Sequence, residues 1–280
     1  MSQVDLHTHT TASDGRHRPA EVVRMAKEAG LAAVAITDHD TVAGITEALA
    51  AGEEYGIRVI PGVEISTSAE GKDIHILGYG FRTDDPVLLD RLVSLRQVRT
   101  RRNEEILAKL NALGLDITME EVEREASSSP RGDGSIGRPH MAEVLIRKGY
   151  VKDLKEAFNR YLAEGAAAYV NPPRIGPADA VRWIHEAGGA AIVAHPGLYR
   201  NDRLVLELLD QGADGLEAFH SDHDESTARH YRTLAKSRGK IVTGGSDFHG
   251  TRQGVTFHGR VGNRTVDETV VDKLLAARKL

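Results

Sequence analysis

Two histidines one residue apart, His7 and His9, open the segment Asp5-Leu-His-Thr-His-Thr-Thr-Ala-Ser-Asp-Gly15, and three further clusters follow. These are Thr37-Asp-His-Asp40, Ala194-His-Pro196 and Gly245-Ser-Asp-Phe-His249. Side chains alternate faces along a strand, so His7 and His9 point one way while Leu6 and Thr8 point the other. Imidazole and carboxylate without thiolate is the donor set that suits zinc, manganese or iron. Each cluster ends, or directly follows, a short apolar run that reads as a strand. A lone His-x-His could be a surface accident or a hydrogen-bonded pair, but four such clusters at strand ends point to a metal site.

The elements that must position these residues fit one large α/β domain of 280 residues. The net charge of −5 argues against broad nucleic-acid binding over the whole surface, though not against a local basic groove for a short anionic substrate. With no cysteine, disulfides, thiolate metal sites and cysteine nucleophiles all drop out. No leader is evident, and no apolar run approaches about 18 residues, so a cytoplasmic protein without a membrane span is expected.

Strand and helix signals alternate in the first third. Strands are expected over Val4–His9, Ala32–Thr37, Ile57–Ser66 and Ile74–Phe81, the last two separated by a turn at Ala69-Glu-Gly71. Helices are expected from Pro19 to Gly30 and from about Thr41 to Tyr55, the second ended by Gly56. Such β-α order implies a parallel sheet or barrel. Residues 84–174 change rhythm and read as a helical insertion covering the site, between barrel segments 1–83 and 175–280. The insertion holds long helices marked by Leu88, Leu92, Leu95, Ile106, Leu107 and Leu110. Its arginine-rich run from Arg96 to Arg102 reads as a solvated helix face, and Ser127 to Gly134 as a flexible loop. Helices near Pro139–Lys148 and Leu154–Leu162 follow. Alternation then returns through helices Ala178–Ala187, Arg203–Gln211 and Ser226–Arg238, with strands Ala190–Ala194, Asp214–Ala218 and Ile241–Thr243.

In a parallel α/β barrel, residues from several strand ends build the active site. His7, His9, His39, Glu64, His75, His195, Asp247 and His249 all lie at or near such ends, with Asp14 in the first loop. Six histidines and three carboxylates are too many for one ion, so two or three metals sharing a carboxylate is the economical account. Such metals would lower the pKa of a held water from near 15.7 toward about 7–9, so no nucleophilic side chain is required.

The set His7-x-His9…Ser-Asp-Gly, Thr37-Asp-His-Asp, His195-Pro and Ser246-Asp-Phe-His resembles the PHP (polymerase and histidinol phosphatase) family over essentially the whole chain. Glu64 with Ile74-His-Ile-Leu-Gly-Tyr resembles its stand-alone phosphoesterases. Gly137-Arg-Pro-His140 resembles the branch acting on nucleoside 3′,5′-bisphosphates and on 5′ ends of short RNA. The resemblance implies an α/β fold, a distorted (β/α)7 barrel with a helical insertion, and a trinuclear site. One metal would take His7, His9, Glu64 and Asp247; a second Glu64, His75 and His195; a third Asp14, His39 and His249. Manganese is the first choice, with iron and zinc as alternatives. Glu64, Asp247 and His195 are the expected catalytic residues.

Outside the metals, Arg138 and His140 at a helix start are expected to bind a phosphate, and His223 the substrate, with His220 a weaker candidate. Asp38 is expected to orient a ligand histidine from behind. His17, His185, His230 and His258 read as surface or helix-face residues. Arg16 to Arg18 places added positive charge near the first motif, either for a second substrate phosphate or incidentally. The expected activity is metal-dependent hydrolysis of phosphate esters of small nucleotides and of the 5′ ends of short RNA, with no obligate protein partner. Histidinol-phosphate phosphatase, a metal-dependent amidohydrolase and a non-catalytic binding module are the alternatives.

Overall fold

The computed structural model describes residues 2–127, 136–252, 254–256 and 258–277; most of the expected loop at Ser127 to Gly134 lies outside them. The first elements are β1 (Gln3–Asp5), α1 (Pro19–Glu28), β2 (Ala33–Ile36), α2 (Ile45–Tyr55), β3 (Arg58–Ala69) and β4 (Lys72–Tyr79). Helices α3 (Pro86–Ala112), α4 (Met119–Ser127), α5 (Arg138–Arg147) and α6 (Leu154–Ala157) follow, the last running into a π-helical turn at Phe158–Leu162. Alternation resumes with α7 (Pro177–Glu186), β5 (Ala190–Val193), α8 (Asp202–Asp210), β6 (Gly215–His220), α9 (Glu225–Ser237) and β7 (Ile241–Gly245). A small hairpin, β8 (Thr251–Arg252) and β9 (Val255–Thr256), then leads to β10 (Val266–Asp267) and α10 (Thr269–Ala276).

The expected helix signals act where they stand. Pro19 opens α1, with Glu21 accepting the Arg18 N–H at 2.8 Å, and Gly56 ends α2 in the left-handed region at φ 64°. Asp85 caps α3 by accepting the Leu88 N–H at 2.9 Å, with Pro86 in the first turn. Helix α4, the hairpin, β10 and α10 carried no signal that the sequence reading used.

Strands β1 to β7 run side by side in chain order, and β10 pairs antiparallel with β1. The ring closes where the Leu6 N–H donates to Gly244 O at 3.2 Å and the Asp247 N–H to His7 O at 2.8 Å. Gly245 makes this closure feasible, since a Cβ there would meet His7 Cβ at 2.3 Å. The result is a distorted (β/α)7 barrel. The parallel order is broken at β4, which is antiparallel to both β3 and β5. The reason is the turn at Glu70 and Gly71, whose φ values of 51° and 80° form a tight hairpin that leaves no room for a crossover helix.

Alternation on β4 separates two cores. Ile74 and Ile76 face outward into a cluster with Leu88, Leu92 and Leu95 of α3 and Ile184 of α7. Leu77 and Tyr79, on its other face, cluster with Val4, Leu6, Ala35 and Ile192. Each fully buried leucine contributes roughly 1.5–3 kcal/mol relative to exposure. Helices α3 to α6 gather a third cluster, including Ile106, Leu110, Met141, Leu145 and Leu162. Helix α3 therefore begins in the barrel's outer core and ends in the core of the helical segment.

Candidate metal centre

Thr8 fixes the first two histidines. Its Oγ1 donates to Ala35 O at 2.6 Å and its N–H to Thr37 Oγ1 at 3.1 Å, binding one face of the chain to β2. The alternate residues, His7 and His9, consequently turn inward. His39 follows β2 and bridges to Glu64 on β3. His195 follows β5, and Asp247 and His249 follow β7. His75 sits toward the start of β4 rather than a carboxyl end; because β4 runs backwards, it reaches the same end of the barrel. Asp40, His195 and Asp247 hold left-handed φ values of 55°, 26° and 53°. Each such non-glycine position costs on the order of 1–3 kcal/mol and clusters at functional sites.

The structure brings all nine expected ligands together. His9 Nε2 lies 3.1 Å from Glu64 Oε2, 3.2 Å from Asp247 Oδ1 and 3.1 Å from His7 Nε2. His7 Nε2 lies 3.4 Å from Glu64 Oε2 and 3.3 Å from Asp247 Oδ1. A tetrahedral ion with bonds of about 2.1 Å spaces its ligands roughly 3.4 Å apart, so these four atoms fit one ion. Glu64 Oε1 turns the other way, 2.8 Å from His75 Nδ1 and 3.1 Å from His195 Nε2, while His39 Nδ1 lies 3.0 Å from Oε2. That is the placement a bridging carboxylate needs. His249 Nε2 lies 3.2 Å from Asp14 Oδ1, and His9, Asp14, His39 and His249 form a further group. Glu64 Oε2, Asp247 Oδ1 and His39 Nδ1 are buried without a hydrogen-bond partner. Buried orphan donors and acceptors of this kind are costly, and a bound cation would satisfy them together.

The charges agree. Burial pushes the Glu64 carboxyl up, but His75, His39 and His7 reverse this and hold it well below the usual carboxylate range. Burial draws His195 down to about 4, the neutral form a metal ligand needs. His7 is instead held well above its ordinary value: burial lowers it, and the charges of Glu217, Asp247 and Glu64 outweigh that.

Glu217 went unnoticed in the sequence. Its Oε1 lies 2.9 Å from His7 Nδ1, and its Oε2 accepts the His195 N–H at 2.9 Å. A carboxylate within an otherwise apolar strand was the available signal, and the bulge after Glu217 in β6 re-aims the residues that follow. Asp38 bonds Thr10 and Ser13 at 2.6–2.7 Å, so it shapes the first loop rather than holding a histidine directly.

One cavity of about 240 Å³ opens on this cluster. Asp14, His39, Glu64, His75, His195, Asp247, His249 and His258 line it together with Arg99, Arg102, Arg138 and Arg174. The expectation of a solvated face from Arg96 to Arg102 holds at Gln97, Thr100 and Arg101, which are exposed, and fails at Arg99 and Arg102. Arg99 bonds Asp40 Oδ2 at 2.8 Å and Ser66 Oγ at 2.7 Å, and Arg102 is 5% exposed. The signal was in the register: Arg99 and Arg102 continue the stripe of Leu88, Leu92 and Leu95 toward Ile106 and Leu110, at spacings of three and four.

Other candidates divide. Arg138 lines the cavity, paired with Asp73 at 3.0 Å and bonded to Leu162 O at 3.3 Å. His140 is buried, and its Nδ1 accepts the Gly137 N–H at 3.1 Å, capping its own helix outside the cavity lining. His223 is not brought in either: its Nδ1 donates to Ala218 O at 2.9 Å and its Nε2 accepts the Gly197 N–H at 3.1 Å. His220 takes the nearer position, with Nε2 3.1 Å from Asp247 Oδ2. His258, expected at the surface, lines the cavity with Nε2 3.4 Å from Asp247 Oδ2 and Nδ1 2.5 Å from Asp222. Residues beyond the β8–β9 hairpin return it to the barrel mouth. His185 and His230 pair with Asp214 and Asp202 away from the cavity, and His17 stacks on Phe248. The extra charge near the first motif is incidental: Arg16 pairs with Glu143 and Glu125, and Arg18 with Glu47.

Residues 5–211 match the model of the PHP domain. A 3′,5′-nucleoside bisphosphate phosphatase of Chromobacterium violaceum is 35% identical over 259 residues, covering 91% of this chain and 90% of its own. A 5′-3′ exoribonuclease of Haemophilus influenzae is 37% identical over 250 residues, covering 88% and 89%. A solved structure from Bifidobacterium adolescentis, described as a metal-dependent phosphoesterase, superposes with a TM-score of 0.87 at 30% identity, covering 98% and 96%.

Proposed function

The chain belongs to the PHP domain family and is a metal-dependent phosphoesterase; from that premise we propose that it hydrolyses phosphate esters of small nucleotides. A nucleoside 3′,5′-bisphosphate is the leading substrate and the 5′ end of a short RNA the second. The observation that carries the reading is that one cavity is lined by the His and carboxylate donors and by four arginines.

The nine ligands fit two to three divalent ions, with manganese first. His7, His9, Glu64 and Asp247 would hold one; Glu64, His75 and His195 a second; Asp14, His39 and His249 a third. Bound ions supply positive charge to the phosphoryl oxygens and make water ionise near neutral pH. Glu64, Asp247 and His195 act through the ions they would hold, and Glu217 and Asp5 support them. Asp5 accepts the His7 and Ser246 N–H groups at 3.2 and 2.9 Å, fixing β1 against the loop that carries Asp247. Residues 84–174 form the helical insertion that brings the arginines over the floor. No helix among the described residues is long and apolar enough to cross a membrane.

The test is a substrate panel with manganese: a 3′,5′-bisphosphate, a 5′-phosphorylated oligoribonucleotide, histidinol phosphate and a dipeptide. The bisphosphate should be cleaved fastest and the dipeptide not at all. Fastest turnover of histidinol phosphate or of the dipeptide would refute the nucleotide reading. The exoribonuclease relative favours the second substrate, and faster shortening of the oligoribonucleotide than bisphosphate cleavage would put it first.

A further inference from the structure

Arg16 is not free for a substrate anion, because two carboxylates of the helical insertion hold its guanidinium. Its Nη2 pairs with Glu143 of α5 and lies 3.4 Å from Glu125 of α4. Glu143 is 5% exposed, and removing the partner of a carboxylate so buried is strongly destabilising. The backbone of Arg16 serves the other side. Its N–H donates to His249 O at 3.0 Å, and the preceding Gly15 N–H donates to Thr10 O at 2.9 Å. Arg16 therefore joins the insertion to the loop that carries Asp14, against the very residue expected to share an ion with Asp14.

A second contact reaches Asp14 itself. Gly137, the residue that opens α5, sits so close that a Cβ there would meet Asp14 Oδ2 at 2.9 Å and Asp14 Cβ at 3.3 Å. Asp14 Oδ1 points the other way, 3.2 Å from His249 Nε2 and 4.0 Å from His39 Nε2. Glu64 and His75 lie on barrel strands β3 and β4, whereas Asp14 lies in a loop whose far side rests on α5.

We propose that α5 presets Asp14 for its ion, through the Arg16–Glu143 pair and the close approach of Gly137, so that docking of the insertion and occupancy of the Asp14, His39 and His249 position reinforce each other. Glu143 is then a positioning residue that acts through Arg16. The inference rests on the reading of those three side chains as ligands of one ion. Such coupling is reciprocal: a docked α5 raises the affinity for the ion, and the ion holds α5 down by the same factor. The remaining positions, built from His7, His9, Glu64, His75, His195 and Asp247, stand apart from this contact.

The experiment follows manganese uptake step by step, by titration calorimetry, in the parent, Asp14→Asn, Glu143→Gln, Gly137→Ala and Glu47→Gln. Asp14→Asn identifies the step in question, since it removes a donor from that position alone. Glu143→Gln and Gly137→Ala should weaken the same step roughly 5- to 150-fold and leave the others unchanged. Glu47→Gln releases Arg18 from an exposed pair in the same segment and should change nothing. Amide hydrogen exchange gives the reciprocal measurement on the parent. Manganese should slow exchange in α5, and Asp14→Asn should lose that protection. An unchanged step in both Glu143→Gln and Gly137→Ala would overturn the proposal. Parallel weakening of every step would overturn it too, making the pair a general support of the fold. Exchange in the parent's α5 that ignores manganese would do the same, and that measurement needs no variant to fold. If Asp14→Asn loses no step at all, the three-ion reading itself fails, and the coupling falls with it.

Discussion

Glu217 Oε1 lies 2.9 Å from His7 Nδ1, with both side chains fully buried, so the carboxylate fixes which ring nitrogen of His7 faces the metal floor. Partners of this kind typically contribute 10–100-fold to metal affinity. Glu217→Gln should weaken manganese activation by about that factor. Saturating metal should recover most of kcat, because no candidate ligand has been removed. A titration of activity against free manganese checks this, and an unchanged midpoint would contradict the role.

The charge state of the metal-free floor gives a pH expectation. Burial lowers the His9 imidazole, but the negative carboxylates of Asp247 and Glu64 beside it outweigh that and push it up to about 10. A histidine whose folded pKa exceeds its unfolded value near 6.5 stabilises the fold fully below that pH. That contribution is lost as pH rises through about 10. Chelator-treated protein should therefore melt progressively lower between pH 7 and 10, and metal-loaded protein should fall less. Metal uptake near pH 7 must displace these protons, so calorimetric heats should vary with the buffer's ionisation enthalpy. Heats independent of buffer would contradict the protonated floor.

Metal content follows from the convergence of nine donors. Protein prepared with manganese should carry two to three ions per chain by elemental analysis, and chelation should abolish hydrolysis. Glu64→Ala should cost more activity than any other single ligand change, since only Glu64 offers one oxygen toward His9 and the other toward His75. One ion or none would contradict the three-ion assignment.

His140 offers a control. With its Nδ1 accepting the Gly137 N–H, His140→Ala should lower stability by about 1–3 kcal/mol in denaturant unfolding. The kcat/KM for the bisphosphate should stay within a few-fold. A large loss of kcat/KM at unchanged stability would return His140 to the substrate.

The floor was legible because it obeys local rules. Period-two alternation put His7 and His9 on one face, and short apolar runs placed His39, His195 and Asp247 at strand ends. What escaped depends on long-range return of the chain. His258 reaches Asp247 only because residues beyond the hairpin come back over the barrel mouth, and Glu217 meets His7 across 210 residues. Arg99 and Arg102 escaped for another reason. Charge argued for solvent while the helical register argued for the interior, and the register won because the cavity sits between two apolar clusters that α3 spans. His140 reads two ways from sequence, because a histidine in the first turn of a helix can bind an anion or cap the backbone, as its Nδ1 does here.

The closure of the barrel has a consequence for biosynthesis. The Ser246 N–H meets Asp5 across 241 residues, and the same seam sets His7 against Gly245 and Asp247. A chain emerging amino end first exposes His7 and His9 long before the residues that complete their surroundings exist. Joining ends so far apart is entropically demanding, and such pairings form late. The ion that His7, His9, Glu64 and Asp247 would share therefore has no complete seat on the ribosome. That seat is complete only once the carboxyl-terminal strand docks against the amino-terminal one.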